Sequence, residues 1–276
     1  MTANAFGGPW TADKLDVLRK YLHFYVAALK DQPYQLYYID TFAGTGRCRI
    51  RHEDGTRDID GSARIALDCG GFDRYFFIEH KRQHAQELQS LMDSHPRGSL
   101  AYLRRGKARD LLWPLLMGFD RKTTRGVLFL DPYGLQVDWP MVSRIAATRA
   151  LDVFFLVSLS GLYRNAAVDR AAINQGHRAA LTRFLGTDEW IDAVYVHKQD
   201  DLFGDHLVTR APGYEGMLDY ATQRLRTVFP YVGEPCLLGS ANGAPLFALY
   251  FAVSNDSKAA LALASRVSED ILRHLR

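Results

Sequence analysis

Three acidic residues, Asp40, Glu79 and Asp131, each stand directly after four apolar residues in this 276-residue chain. Short apolar runs that end in this way predict buried β-strands. The strands of a parallel sheet all end at the same edge, so we expect the three carboxylates to meet at one crevice. A carboxylate that is buried there costs free energy unless a ligand or the protein supplies hydrogen-bond donors.

A turn of small residues, Ala43-Gly44-Thr45-Gly46, follows the first of these strands. Glycine lets a backbone approach a ligand closely, and the N–H groups of such a turn suit a carboxylate. An acid after the second strand, here Glu79, suits the hydroxyls of a ribose. Asp40 or Asp131 suits an ammonium group. A ribose, an ammonium group and a carboxylate together describe S-adenosyl-L-methionine (SAM).

A nicotinamide dinucleotide is the competing cofactor. Its G-x-G-x-x-G fingerprint leads straight into a helix. Here Gly44-x-Gly46 is followed by Arg47, Cys48 and Arg49, so the third glycine is absent. The turn therefore favours SAM over a dinucleotide.

Strands alternate with helical patterns along most of the chain, which predicts an α/β fold with a mostly parallel sheet. Further strands are expected at Leu100–Leu103 and Leu151–Val157. The predicted helices that frame the chain are Thr11–Gln32, Tyr214–Phe229 and Ser257–Leu275. Near the end, 235–238 and 246–253 predict an antiparallel hairpin around the turn 239–243, with helices on both faces of the sheet.

The segment from Arg47 to Asp60 is polar and separates the glycine turn from the next helix, which is expected to begin at Gly61-Ser62. An insert of this length is either a functional lid or simply a mobile loop.

We expect a single domain across residues 1–276. An N-terminal helical cover spans 1–33, a cofactor-binding core 34–158, a helical insert 159–213, and a C-terminal helix, hairpin and last helix 214–276. The insert predicts helices at Asp169–Leu185 and Asp188–Val194. It is also rich in basic residues, which form either a solvated face or a substrate-recognition cap.

The composition is that of an ordinary globular protein, with 47% hydrophobic and 24% charged residues. A net charge of +3 neither requires nor excludes nucleic-acid binding. No apolar run approaches the roughly 20 residues that span a bilayer, and the N-terminus lacks the pattern of a signal peptide. The three cysteines, Cys48, Cys69 and Cys236, have no C-x-x-C spacing, so we predict no metal site and a cytoplasmic location.

Several stretches in combination resemble the three-Cys-motif partner protein family, from Trp10 to the last helix. They are Tyr38–Gly46, Gly61–Arg64, Phe77–Glu79, Leu128–Gly134, Phe184–Trp190 and Pro245–Phe247. The family is named for genomic pairing with a radical-SAM protein that carries three cysteines, so the resemblance implies such a partner. It also implies a Rossmann-like class I SAM-dependent methyltransferase fold, with a seven-stranded sheet that ends in an antiparallel hairpin.

The resemblance further implies roles for individual residues. Asp131, Pro132 and Tyr133 would form the catalytic loop that faces the methyl group. In nucleic-acid amino-methyltransferases the related Asp-Pro-Pro-Tyr motif orients an exocyclic amine and its tyrosine stacks on a flipped base; here the second proline is missing, which gives Asp131-Pro132-Tyr133-Gly134. Lys107 stands where many relatives place an acid beside the adenine. The residues that would bind the cofactor are Asp40, Thr41, Phe42, Ala43, Gly44, Gly46, Glu79, Lys107 and Ala108.

The sequence thus predicts a SAM-dependent methyltransferase that acts on nucleic acid or on a product of a radical-SAM partner protein. The alternative is a non-catalytic SAM-binding adaptor of that partner. A nicotinamide-dependent oxidoreductase is disfavoured by the missing third glycine.

Overall fold

The computed structural model describes residues 5–8, 10–52, 55–197, 208–239 and 245–273. Its strands are β1 (Ala5–Gly7), β2 (Gln35–Asp40), β3 (Arg47–His52), β4 (Gly55–Asp60), β5 (Arg74–Glu79), β6 (Ala101–Arg105), β7 (Thr124–Leu130), β8 (Leu151–Ser158), β9 (Tyr195–His197), β10 (Val208–Arg210), β11 (Tyr231–Val232), β12 (Cys236–Gly239) and β13 (Pro245–Val253). Its α-helices are α1 (Trp10–Leu29), α2 (Ser62–Cys69), α3 (Arg82–Ser94), α4 (Ala108–Leu116), α5 (Trp139–Ala147), α6 (Leu159–Asn165), α7 (Gln175–Leu185), α8 (Trp190–Val194), α9 (Glu215–Arg226) and α10 (Lys258–Arg273).

The central sheet has the strand order β11-β13-β8-β7-β2-β5-β6. The five strands from β8 to β6 run parallel, and β13 runs antiparallel to β8. Both β11 and β12 pair antiparallel with β13, so two short strands share the edge position. The predicted fold class, a mostly parallel sheet with a C-terminal antiparallel hairpin, is confirmed. The predicted hairpin turn lies largely outside the described residues, which leave out 240–244.

Successive residues of the inner strands enter two separate cores. Tyr38 and Phe129 belong to one core, and their neighbours Ile39 and Leu128 belong to the other. A strand buried on both faces needs apolar residues at nearly every position, which explains the continuous apolar runs in the sequence. Helices α1, α2, α3 and α10 cover the first core, and α4 to α9 cover the second.

The polar segment between the glycine turn and α2 is a β-hairpin, whereas the sequence suggested a lid or a mobile loop. Arg47 pairs with Asp60 at its base, and β1 runs parallel to β3. Most of β4 is exposed on both faces, so its sequence has no apolar alternation that would have predicted a strand. Because the N–H of Gly61 donates to the carbonyl of Gly46 at 2.9 Å, the chain enters α2 immediately beside the glycine turn.

The insert at 159–213 differs from the prediction in its elements, and it begins with α6, a helix that was not predicted. The helix expected over Asp169–Leu185 is divided into a short 3₁₀ turn at Arg170–Ala172 and α7. The division occurs because Asn174 caps α7, its side chain accepting from the N–H of His177 at 2.8 Å. The insert also contains β9 and β10, which pair antiparallel. Among the described residues, no helix is long and apolar enough to cross a membrane.

Candidate active site

Asp40 ends β2 and is completely buried at the centre of the sheet edge. Its Oδ1 accepts from the N–H of Phe42 at 3.2 Å, and its Oδ2 faces the hydroxyl of Tyr38 at 3.4 Å. Burial raises the pKa of this carboxyl to about 7, while hydrogen bonds from Ser62 and from the Phe42 N–H act in the opposite direction. Asp40 is therefore a carboxyl that changes charge near neutral pH.

The other two strand-end acids lie close enough to act on Asp40. The negative charges of Asp131 and Glu79 each raise the pKa of Asp40 further. The three carboxylates thus lie near one another at the ends of their strands, but they do not share one crevice: Glu79 and Asp131 line two different cavities, described below, and Asp40 lines neither of them.

Glu79 joins the second strand to the glycine turn. Its Oε2 accepts from the N–H of Gly44 at 2.9 Å, and its Oε1 accepts from the N–H of Lys81 at 2.7 Å. His84 lies 3.8 Å from the same carboxylate through its Nδ1. Glu79 is 8% exposed, so it is almost enclosed. A carboxylate fixed from two sides in this way presents its remaining lone pairs in a set direction.

Gly44 and Gly46 adopt positive φ angles of 63° and 78°, which side chains rarely tolerate. A Cβ on Gly46 would lie 2.3 Å from the Leu91 side chain, and one on Gly61 would lie 2.8 Å from the backbone of Gly46. The turn is held in a conformation that only glycine permits.

Asp131 forms an ion pair with Lys14, which reaches it from α1 across the top of the first core. The Lys14 side chain is 7% exposed and that of Asp131 is 28% exposed. Lys14 also lies over the Phe129 ring, with Nζ 5.9 Å from its centroid. The helix that covers the sheet thus supplies a positive charge to the site.

A cavity of about 280 Å³ opens at the ends of β2, β5 and β6. It is lined by five of the nine residues that were predicted to bind the cofactor. They are Thr41, Phe42, Glu79, Lys107 and Ala108, joined by His80, Lys81, Gly106, Arg109, Tyr133 and Gln136.

A second cavity of about 300 Å³ lies on the other side of the glycine turn. Ala43, Gly44 and Gly46 line it together with Asp131 and Pro132. Its other walls come from α1, from the β3–β4 hairpin and from the start of α6. Burial raises the pKa of Cys48, which lines this cavity, to about 11, so its thiol is protonated at neutral pH.

Phe42 and Tyr133 line both cavities, so the two spaces adjoin. Tyr133 is 59% exposed, and Lys81 Nζ lies 5.2 Å from the centroid of its ring. Thr41, by contrast, is buried and donates through its hydroxyl to the Phe129 carbonyl at 3.2 Å. Tyr133 and Lys107 are the predicted site residues that are exposed, so a large substrate can reach both.

Four residues of the site were not predicted from the sequence: Lys14, Ser62, His80 and Lys81. Lys14 could have been recognised from the sequence, because a lysine on the otherwise apolar, buried face of α1, beside Leu15 and Leu18, needs a partner inside the protein. The positions of the other three depend on how α2 and α3 start beside the sheet, which no local pattern reveals.

The basic residues of the insert are mostly engaged within the protein. Arg178 pairs with Asp188 at 2.9 Å, and Arg170 lies 4.0 Å from Asp192. Arg210 donates to the carbonyls of Tyr163 and Ala166. Lys198, another basic residue of the insert, lies outside the described residues. Arg164 differs from these in lining the second cavity.

Comparison with known proteins gives a likeness of fold. No protein-family model matches the chain, and no curated protein matches it either. Protein LPL1258 from Legionella pneumophila, described with the family model DUF519, is similar over 96% of this chain and 92% of its own, at 12% identity and a TM-score of 0.53. The DszA carbon methyltransferase has a TM-score of 0.45 at 11% identity and covers 91% of this chain and 56% of its own. The N-terminal domain of EvdMO1, solved with SAH bound, has a TM-score of 0.43 at 10% identity. The match covers 86% of this chain and 80% of that one. The likeness to LPL1258 is one of fold.

Proposed function

We propose that this protein is a SAM-dependent methyltransferase. The observation that carries the proposal is Glu79, which is buried, hydrogen-bonded to the N–H groups of Gly44 and Lys81, and placed on the wall of the first cavity. Such an acid after the second strand is suited to ribose hydroxyls. The methyltransferases among the similar solved structures agree with this proposal in fold.

The residues present fit a nucleoside joined to an amino acid. Ligand pockets measure about 300–1,000 Å³ as a rule, and the two adjoining cavities together fall within that range. Glu79, Lys107 and Ala108 would hold the adenosine part in the first cavity. The turn at Gly44–Gly46, with Asp40 beneath it, would hold the amino-acid part towards the second.

Bound SAM supplies an electrophilic methyl group on a sulfonium. The protein then has to align a nucleophile and exclude water, and positioning of this kind supplies several kcal/mol. We assign Asp131 to accept a hydrogen bond from the nucleophile, with Pro132 fixing the loop and Tyr133 orienting the substrate. Lys14 forms an ion pair with Asp131 and so fixes its orientation, which makes Lys14 a positioning residue.

Membership of the three-Cys-motif partner protein family is also a proposal, supported by the stretches of sequence given above. With it come a radical-SAM protein as partner and a cytoplasmic location. The alternative is a non-catalytic SAM-binding adaptor of that partner.

A methyl-transfer assay decides between enzyme and adaptor. Purified protein with methyl-labelled SAM is offered RNA, DNA and the radical-SAM partner, and label in any of them is counted. We expect label in one substrate, and a loss of about 100-fold in Asp131→Asn but not in the control Asp93→Asn, which is exposed near the end of α3 and lines neither cavity. SAM binding without transfer to any of the three would support the adaptor instead.

A further inference from the structure

The edge of the first cavity carries a dense group of basic side chains. They come from two short segments, 79–82 after β5 and 104–110 after β6. The two segments lie side by side, because Ile78 pairs with Arg104 and Glu79 with Arg105 in the sheet. We call this group the basic rim, and it consists of Lys81, Arg82, Arg104, Arg105, Lys107 and Arg109.

The charges of the basic rim are not neutralised within the described part of the chain. All six side chains are exposed, and none of them takes part in the ion pairs found among the described residues. The two segments contain two acids, Glu79 and Asp110. Glu79 is buried and already accepts from two backbone N–H groups. A rim of this kind attracts a polyanion.

The basic rim leads directly to Tyr133. Lys81 belongs to the rim and also lies over the Tyr133 ring at 5.2 Å. Beyond Tyr133, Arg164 lines the second cavity. The exposed ring of Tyr133 thus has one cation over it and a second cation in a cavity that it lines.

From this arrangement we infer that the substrate of the proposed methyltransferase is single-stranded nucleic acid. Its phosphates lie along the basic rim and a base stacks on Tyr133. A groove of cations with an aromatic platform is the general solution for binding single strands. A base inside a duplex cannot reach a recessed site, so a single strand or a flipped base is required. This inference rests on the proposed function, but it is tested separately.

The test is fluorescence anisotropy of a labelled 12-nucleotide single strand, RNA or DNA, titrated with the full chain at several salt concentrations. The variant Arg82→Gln/Arg104→Gln/Arg105→Gln removes three rim charges without touching a cavity-lining residue. Single-strand binding weakens with salt at a slope of about −0.7 per phosphate contact. We therefore expect the slope of log affinity against log salt to become shallower by about 2, with affinity at least tenfold lower at low salt.

The matched control is Lys30→Gln/Arg121→Gln/Lys122→Gln, which removes the same charge at the opposite edge of the sheet, next to the starts of β2 and β7. It should bind the single strand as the unmodified protein does. Poly-glutamate at equal charge should compete poorly. Three results would overturn the inference: equal losses in both variants, no binding by the unmodified protein, or equal competition by poly-glutamate, which would point to an acidic protein.

SAM titration of the same samples separates the two proposals. Both variants should bind SAM as the unmodified protein does, which also shows that they are folded. SAM binding without single-strand binding contradicts this inference alone. Failure to bind SAM contradicts the proposed function, whatever the nucleic-acid result.

Discussion

The Glu79 carboxylate accepts a hydrogen bond from the N–H of Gly44 at 2.9 Å, which ties the end of the second strand to the turn after the first. The acid that would recognise a ribose therefore also fixes the turn that would recognise the amino-acid part of SAM. A substitution of Glu79 should therefore weaken the recognition of the ribose and of the amino-acid part of SAM.

The substitution Glu79→Gln should lower SAM affinity by about 10-fold to 100-fold. The amide has one acceptor oxygen where the carboxylate has two, so a bond to Gly44, to Lys81 or to ribose is lost, and hydrogen bonds to charged groups contribute about 1.5–3 kcal/mol. Isothermal titration calorimetry measures the change. Glu87→Gln, a change at a half-buried position on α3 that lines neither cavity, is the control and should bind SAM normally. Equal SAM affinity in the two variants would show that Glu79 does not contact SAM.

Replacing Lys14 by methionine should lower the free energy of unfolding by about 1–3 kcal/mol, because Asp131 would then lack its ion-pair partner in a largely enclosed position. The double variant Lys14→Met/Asp131→Asn should recover most of this stability. Urea denaturation of the two single variants and the double variant gives the coupling energy. A coupling near zero would mean that the ion pair contributes nothing to the fold.

Asp40 should make stability depend on pH. Its folded pKa of about 7 lies above the ordinary value of 3.8, so between these values the folded state binds more protons than the unfolded state. Its contribution to stability is therefore fully present at low pH and is lost as pH rises towards about 7. A pKa shift of this size corresponds to a loss on the order of 4 kcal/mol in the free energy of unfolding.

Other acids, including Asp58 and Asp188, have lowered pKa values and act in the opposite direction. The measurement is thus the difference between the protein and Asp40→Asn in urea denaturation at pH 5 and pH 8. The Asn variant should gain stability relative to the unmodified protein at pH 8. Identical pH profiles for both would show that Asp40 does not titrate in this range.

Gly61→Ala should displace the glycine turn and weaken SAM binding about 10-fold or more. The new Cβ would lie 2.8 Å from the backbone of Gly46, and a backbone atom cannot move aside as a side-chain end can. Gly216→Ala is the matched control, because the space around Gly216 in α9 is open. If calorimetry finds equal SAM affinities for Gly61→Ala and Gly216→Ala, the close contact between Gly46 and Gly61 does not determine the shape of the site.

The strands that build the site could be predicted because burial on both faces leaves an unbroken apolar run. Asp40 and Glu79 end β2 and β5 and Asp131 directly follows β7, so all three lie at strand ends as the sequence predicted. The β3–β4 hairpin could not be predicted, since its exposed residues carry no pattern of burial. Nor could the pairing of Lys14 with Asp131, which are 117 residues apart in sequence and meet only because α1 crosses the ends of the strands. The break before α7 depended on the capping role of Asn174 within a run that otherwise suits one helix.

The central claim is that the cavities beside Glu79 bind SAM. Calorimetric titration of the purified full chain with SAM, and in parallel with NAD, tests it most directly. We predict saturable binding of one SAM per chain at micromolar concentration, no binding of NAD, and a loss of SAM affinity in Glu79→Gln but not in Glu87→Gln. Binding of NAD in preference to SAM, or no binding of SAM at millimolar concentration, would contradict the account.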